Sequence, residues 1–175
     1  MTQREALRDL QARLASRLQA AKSEGLSVSW LALRAGGVGY LFPLAQSGEI
    51  FPLPAVQKIP YAQDWFLGVG NLRGGLFGVV DLAAYISGTA PQRAEQFGAE
   101  ASVVTISTAL DINCALRIDA LAGLRHAEAF AAAKPAPAGS PPYFGNCYTD
   151  AAGQRWQEIN LQQLSRMPEF LQINA

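Results

Sequence analysis

The chain has 175 residues, half of them hydrophobic, with 14 lysines and arginines balanced by 14 aspartates and glutamates. That length suits one domain or two small ones sharing a core, and a chain with no net charge lacks the basic field of a general nucleic-acid binder. No stretch approaches the ~18 uninterrupted apolar residues that cross a bilayer, the opening "MTQREALRDLQARLASRLQAAK" has charges throughout and no apolar leader core, and two cysteines without CxxC spacing fit reduced thiols in the cytoplasm.

Residues 2 to 24 read as a helix. Leu7, Leu10, Leu14, Leu18 and Ala21 recur at spacings of three and four, Arg4, Arg8, Arg13, Arg17 and Lys22 mostly face away, and Gly25 is a natural stop. Such a helix either packs on its own domain or docks on a partner. From Ser27 the pattern turns to short strands. "SVSWLALR", a turn at Ala35-Gly36-Gly37 and "VGYLFPL" predict a hairpin, and "EIFPLP" a third strand. "WFLGVGNLR" and "LFGVV" flank Gly74-Gly75, a second hairpin signal. Asp81 is the expected N-cap of a brief helix, "LAAYIS", that stops at Gly88. Residues 87 to 100 read as a polar connection.

"ASVVTIST" and "NCALRID" are the next strands, and "AAAKPAPAGSPP" reads as a loop too proline-dense for a helix or a sheet interior. "YFGNCYTD", a turn at Ala151-Ala152-Gly153 and "QRWQEI" predict a last hairpin, after which Asn160 caps the helix "LQQLSRM". About nine or ten short strands with glycine turns, bracketed by helices, point to a mainly β fold of small barrels or a sandwich. No strand–helix–strand rhythm supports a parallel sheet.

The sequence offers no catalytic constellation. There is no GxSxG elbow, no phosphate loop and no HExxH. "GVGNLRGG" fails as a dinucleotide fingerprint, because Leu72-Arg73 stands where the third glycine must approach and a strand follows where a helix must open. His126 is the only histidine and has no metal-ligand cluster around it, so neither a metal nor a cofactor is expected. Asp111, Asp119, Glu128, Asp150 and Glu158 fall near turns or strand ends, where solvated acids are ordinary.

The segment 65–80 is more informative. Gly68 and Gly70 within a strand mark a bend or the close approach of another backbone. Gly74-Gly75 can take positive φ and place Arg73 at the rim of a hairpin with buried flanks. A guanidinium there is suited to carboxylates or carbonyls on a partner, or it snorkels to water over its own stem.

"GYLFPL…GEI…IPYAQDWFLGVGNLRGGLFGVVDL" resembles the core signature of CheW-like chemotaxis coupling proteins. "CALRIDALAGLRHAEAFAAAKPAP" continues the likeness, and "YFGNCYTDAAGQRWQEINLQQL" matches its closing hairpin and helix. The resemblance covers roughly residues 27 to 166. It implies two intertwined five-stranded, SH3-like barrels around a shared core, with an N-terminal helical extension over 1–26, a CheW-like domain over 27–167 and a tail over 168–175. It further implies a non-enzymatic adaptor between the cytoplasmic tip of a chemoreceptor and the regulatory domain of a CheA-type histidine kinase, at membrane-associated arrays.

The N-terminal helix and the tail "PEFLQINA" look more like the members that control type IV pili and twitching. A flagellar coupling protein, or a stand-alone ligand-binding barrel, is the alternative. By the same likeness the receptor surface comprises Glu49, Ile50, Val69, Asn71, Leu72 and Arg73. Three positions depart from the family pattern. Gly75 stands in place of a β-branched or apolar residue and Gly78 in place of proline, both loosening the hairpin. Ser47 stands in place of an apolar residue, weakening any apolar receptor contact there.

Overall fold

The computed structural model describes residues 2–23, 29–91 and 101–175. Gly25, the expected helix stop, and most of the polar connection 87–100 lie outside the described residues. Helix α1 spans Gln3–Ser23. The strands are β1 Ser29–Ala35, β2 Val38–Pro43, β3 Ser47–Pro52, β4 Phe66–Leu72, β5 Gly75–Asp81, β6 Ser102–Ile106, β7 Cys114–Ile118, β8 Ala120–His126, β9 Phe130–Lys134, β10 Phe144–Asp150 and β11 Arg155–Ile159. Short helices α2 Leu82–Ser87, α3 Leu161–Ser165 and α4 Pro168–Leu171 complete the fold.

The strands form two sheets, in the orders β8-β1-β2-β11-β10-β9 and β3-β6-β7-β5-β4. The chain builds one hairpin of the first sheet, crosses to make the whole of the second, and returns to finish the first. The first sheet is therefore interrupted along the chain, whereas the second is one contiguous piece, residues 47–118. Within each, one junction is parallel, β2 with β11 and β5 with β7, and the other pairings are antiparallel.

The sequence pattern explains how the sheets share a core. Along β1, Trp30 and Ala32 point into an inner cluster with Leu41 and Trp156, whereas Leu31, Leu33 and Ala35 point into a larger cluster between the sheets. On β7, Ala115 joins Leu72, Val79 and Val103 inside the second sheet, while Cys114, Leu116 and Ile118 face the shared cluster. Strands buried on both faces read as unbroken apolar runs rather than alternations, as "SWLALRA" and "CALRI" do.

Two strands were not legible in advance. β8, whose half-buried residues show no alternation, pairs with β1. β9 occupies residues read as a proline-rich loop. It is the terminal strand of its sheet, and prolines begin only at Pro135, so its amides remain able to pair with β10. It makes the first sheet six-stranded rather than five. The residues expected as a tail carry α4, whose Phe170 is buried against Trp65 and Tyr85, and the chain end pairs backbone to backbone with Tyr61 and Gln63.

Helix α1 lies against β3 and β8. Leu14 is buried in the shared cluster, Leu7, Gln11 and Ala15 are half-buried, and Gln11 donates to the Ser102 hydroxyl. Leu10, expected on the inward stripe, is 52% exposed. The seated face is thus 7, 11, 14 and 15, rotated from the leucine stripe.

Candidate functional site

The β4–β5 hairpin carries the residues singled out in the sequence. Leu72 pairs with Gly75, so the loop is two residues, Arg73 and Gly74, with φ of 52° and 78°. This is the pattern of a type I′ turn, whose central positions favour Asn-Gly or Gly-Gly. The turn is therefore Arg73-Gly74 and not Gly74-Gly75; Gly75 is the first residue of β5. An arginine in the left-handed region is uncommon, and it is held there by Asn71, whose side-chain oxygen accepts from the Gly74 N–H at 3.0 Å.

Gly68 and Gly70 mark a close approach, as their place in a strand suggests. A side chain at Gly68 would meet the Gln57 carbonyl, and one at Gly70 would meet Pro54. The segment is drawn in by a reciprocal pair, Gln57 N–H to the Val69 carbonyl at 2.8 Å and Val69 N–H to the Gln57 carbonyl at 2.9 Å. These bonds cover an edge strand that would otherwise be open to other chains. Gly75 and Gly78 are packed rather than loose, with the rings of Phe77 and Phe66 close over them.

Opposite the turn, β3 carries a bulge. Ser47 faces Ile106 and Ile50 faces Val104, so β3 has one residue more than its partner. The Thr105 hydroxyl fills the gap, accepting from the Glu49 N–H at 2.7 Å. The bulge aims the Glu49 carboxylate at Arg73, whose Nη1 lies 3.0 Å from Oε2 and 3.1 Å from Oε1. The guanidinium also stands over the Phe51 ring, 5.7 Å from its centroid. Only Nη1 meets Glu49, and 73% of the Arg73 side chain is exposed. Below the pair is a depression of about 240 Å³, lined by Phe51, Leu72, Phe77, Thr105 and Thr108 among others.

Not all six expected surface residues meet here. Adjacent residues of a strand point to opposite faces. Glu49 and Arg73 come together at the rim, Leu72 is buried in the floor, and Asn71 is exposed and secures the turn. Ile50 points the other way, into the shared cluster that also holds Leu14 of α1. Val69 is half-buried, its backbone taken by Gln57. Ser47 is fully buried, with its hydroxyl donating to the Pro43 carbonyl at 2.9 Å. Sequence reasoning missed Phe51 and Phe77. The signal for Phe51 was its position two residues after Glu49, on the same strand face.

A second polar cluster sits inside the molecule. Asp81 caps α2 with one oxygen, accepting from the Ala84 N–H at 2.9 Å, and with the other accepts from Arg117 Nε at 2.8 Å. Arg117 is almost wholly buried and also pairs with Asp119 at 3.0 Å, and Asp119 accepts from the Gly36 N–H at 2.7 Å. The chain of bonds runs from the second sheet to the β1–β2 turn of the first. Two more of the acids read as solvated are engaged: Glu158 accepts from the Trp30 indole and Asp150 from that of Trp156.

Nucleophile chemistry finds little support. Burial pushes the Cys114 thiol up to about 12, leaving it protonated and inert at neutral pH. His126 Nδ1 lies 2.8 Å from the Ser29 hydroxyl at the end of the β1–β8 ladder, with no carboxylate bonded to the ring among the described residues. No group of three His, Cys, Asp or Glu residues able to hold a metal occurs among the described residues.

The model of the CheW-like domain matches residues 29–169. The chain belongs to the CheW-like family. It is 30% identical over 116 residues to Protein PilI of Pseudomonas aeruginosa, an alignment that spans 65% of this chain and 61% of that protein. Its fold is similar to that of the scaffolding protein TtCheW from Thermoanaerobacter tengcongensis, with a TM-score of 0.62 at 15% identity, covering 77% of this chain and 89% of that one. The CheW-like match takes in both sheets and stops short of α1, so the helix lies outside the part shared with the family model. No helix among the described residues is long and apolar enough to cross a membrane.

Proposed function

We infer that this CheW-like chain is a non-enzymatic adaptor that joins the cytoplasmic tip of a chemoreceptor to the regulatory domain of a CheA-type histidine kinase, in an array that controls type IV pili and twitching. The observation that carries this reading is Arg73, a strained and exposed arginine at the tip of a rigid hairpin, above an apolar-floored depression. Strain of this kind persists where the surroundings over-determine it and clusters at functional positions. A fixed guanidinium beside aromatic rings suits a helical tip that presents carboxylates or helix-end carbonyls. Likeness to PilI supports the pilus system, and membership of the CheW-like family supports coupling over catalysis.

Signal passes through such an adaptor only by differential contact with the receptor's two states. The test is binding of the full chain to a soluble fragment of the receptor's hairpin tip, wild type beside Arg73→Ala, with circular dichroism on both. The expected result is a loss of about 1–3 kcal/mol of affinity with the fold intact. Folded protein that does not bind in either form would remove the coupling role. Equal binding by both would leave the role and move the site.

A further inference from the structure

A second depression lies away from the Arg73 rim. It holds about 290 Å³ between α2, the β1–β2 turn and the residues that follow α2, with Val38, Ala83 and Ile86 among its apolar walls. That size falls just short of the ~300–1,000 Å³ typical of sites for drug-sized molecules and suits a small ligand. Three charged side chains line it, Asp81, Arg117 and Asp119. Asp81 and Arg117 are sealed in, whereas the Asp119 side chain is 38% exposed.

These charges do not balance. Two carboxylates answer one guanidinium, which leaves the described walls with a negative charge in excess. The accessible part of it is Asp119. Each of its oxygens accepts one bond, from Arg117 Nη2 at 3.0 Å and from the Gly36 N–H at 2.7 Å, and a carboxylate oxygen has room for a second. Tyr40 of β2 is an independent sign. It lines the same depression and is only 4% exposed. Among the described residues every side-chain oxygen sealed from solvent has a hydrogen-bond partner; the Tyr40 hydroxyl bonds to none of them, so it opens into the depression. Burial raises its pKa, which keeps it a neutral phenol able to accept and to donate. A buried polar group without a partner costs stability, and phenylalanine would fill the same space without that cost.

We propose that this depression binds a small aliphatic cation, an alkylammonium or alkylguanidinium, whose head engages the Asp119 carboxylate and the Tyr40 hydroxyl and whose methylene stem lies on Val38 and Ile86. The walls select each part. The excess charge selects a cation, the two open oxygens select N–H donors, and the apolar side selects a carbon stem. Arg117 is answered by both acids, so it fixes Asp119 in place and does not draw an anion. The same chemistry belongs to a free amine or guanidine and to a lysine or arginine side chain on a partner. None of these residues belongs to the Arg73 surface, and the site stands apart from the adaptor reading.

Titration of the isotope-labelled full chain with agmatine, which carries both kinds of head, tests the site by NMR. The amide resonances of Gly36 and Ser87 are expected to shift and saturate, and succinate, an anion of similar length, is expected to leave them in place. Asp119→Asn should weaken agmatine about tenfold, as the loss of a charge-assisted bond does. Tyr40→Phe should weaken it about threefold while the thermal midpoint of the unliganded chain stays the same or rises. If Asp119→Asn does not fold, Tyr40→Phe decides alone. Arginine capped at both ends of its backbone separates the sources: weaker binding than agmatine assigns the site to a free molecule, and equal or tighter binding to a partner's side chain. The site is overturned by the absence of a saturable agmatine shift, by equal affinity in wild type and variants, or by a preference for succinate. A Tyr40→Phe midpoint several degrees lower overturns it as well, because the hydroxyl would then serve the fold.

Discussion

The two sheets are built on one ladder. In strand order β8-β1-β2-β11-β10 the third junction is parallel and the others antiparallel, and β3-β6-β7-β5-β4 repeats that pattern. One strand of each parallel pair runs into a short helix, β5 through Asp81 into α2 and β11 through Asn160 into α3. Both caps accept from the N–H three residues on, at 2.9 and 3.0 Å. The difference is charge. Asn160 only caps, and the first amide of α3 is met by the Gln46 side chain instead. Asp81 caps with one oxygen and holds buried Arg117 with the other. A neutral amide suffices to start such a helix, so the negative charge at 81 answers Arg117. Through Asp119, that ion pair ties the sheet with the Arg73 hairpin to the other sheet.

The largest effect expected follows from that contrast. Asp81→Ala removes a cap and leaves a buried guanidinium short of a partner, and a broken buried pair costs about 3–5 kcal/mol. Asp119 still faces Arg117, which places the loss at the low end, about 3 kcal/mol. Asn160→Ala loses only a cap, about 1 kcal/mol. Asp81→Asn, which keeps the cap and drops the charge, falls between. Equilibrium unfolding in urea measures all three. Equal losses for Asp81→Ala and Asn160→Ala would mean that the ion network adds nothing to stability and that the likeness of the two helix starts is complete.

Local signals carried most of this into the sequence reading. Asp81, Gly88 and Asn160 were legible because caps depend on a residue type and its immediate neighbours. The turns read at Ala35-Gly36-Gly37 and Ala151-Ala152-Gly153 were legible for the same reason. What was hidden depends on distant partners. β8 has no alternation to betray it because its neighbours are β1 on one side and α1 above. The inward turn of Leu14 rather than Leu10 depends on β3 and β8, against which α1 packs and which lie far along the chain. Burial of Arg117 could not be read from "CALRID", since only the fold brings Asp81 to it. Of the site, Glu49 and Arg73 were legible as a motif, whereas the opposite facing of Ile50 follows from strand period alone and could have been drawn earlier.

The hairpin turns sharpen the comparison at a smaller scale. β1–β2 turns on Gly36-Gly37 and β4–β5 on Arg73-Gly74, all four with positive φ. Only the second sheet places a side chain where backbone sterics oppose it, at a cost of about 1 kcal/mol. Arg73→Gly should relieve that strain while losing an ion pair whose arginine is largely exposed, worth about 0–1 kcal/mol after solvent screening. The expected outcome is a thermal midpoint that stays or rises by a degree or two, with receptor-fragment binding lost. A fall of several degrees would make the Glu49 pair a structural brace and Arg73 no longer a residue kept for a partner.

The smallest effect belongs to the first sheet's hairpin, which closes on itself where the other reaches outward. The Asp150 carboxylate accepts from the Trp156 indole at 3.0 Å and from the Gln154 and Ala152 amides at 2.9 and 3.0 Å. These donors, the indole first, hold its pKa below the ordinary carboxylate value. A carboxyl with a lowered pKa in the folded state stabilises the fold at every pH above its unfolded value, near ~4, and that stabilisation fades as pH falls through the folded value. The unfolding free energy of wild type should therefore exceed that of Asp150→Asn by a constant amount from neutral pH down to about 5 and converge with it below about 4. The Trp156 indole N–H resonance should move over the same acidic range, reporting the proton as it arrives. A gap that persists unchanged into acid would show that the hydrogen bonds count and the charge does not, and the first sheet would then be neutral at its turn as well as at its cap.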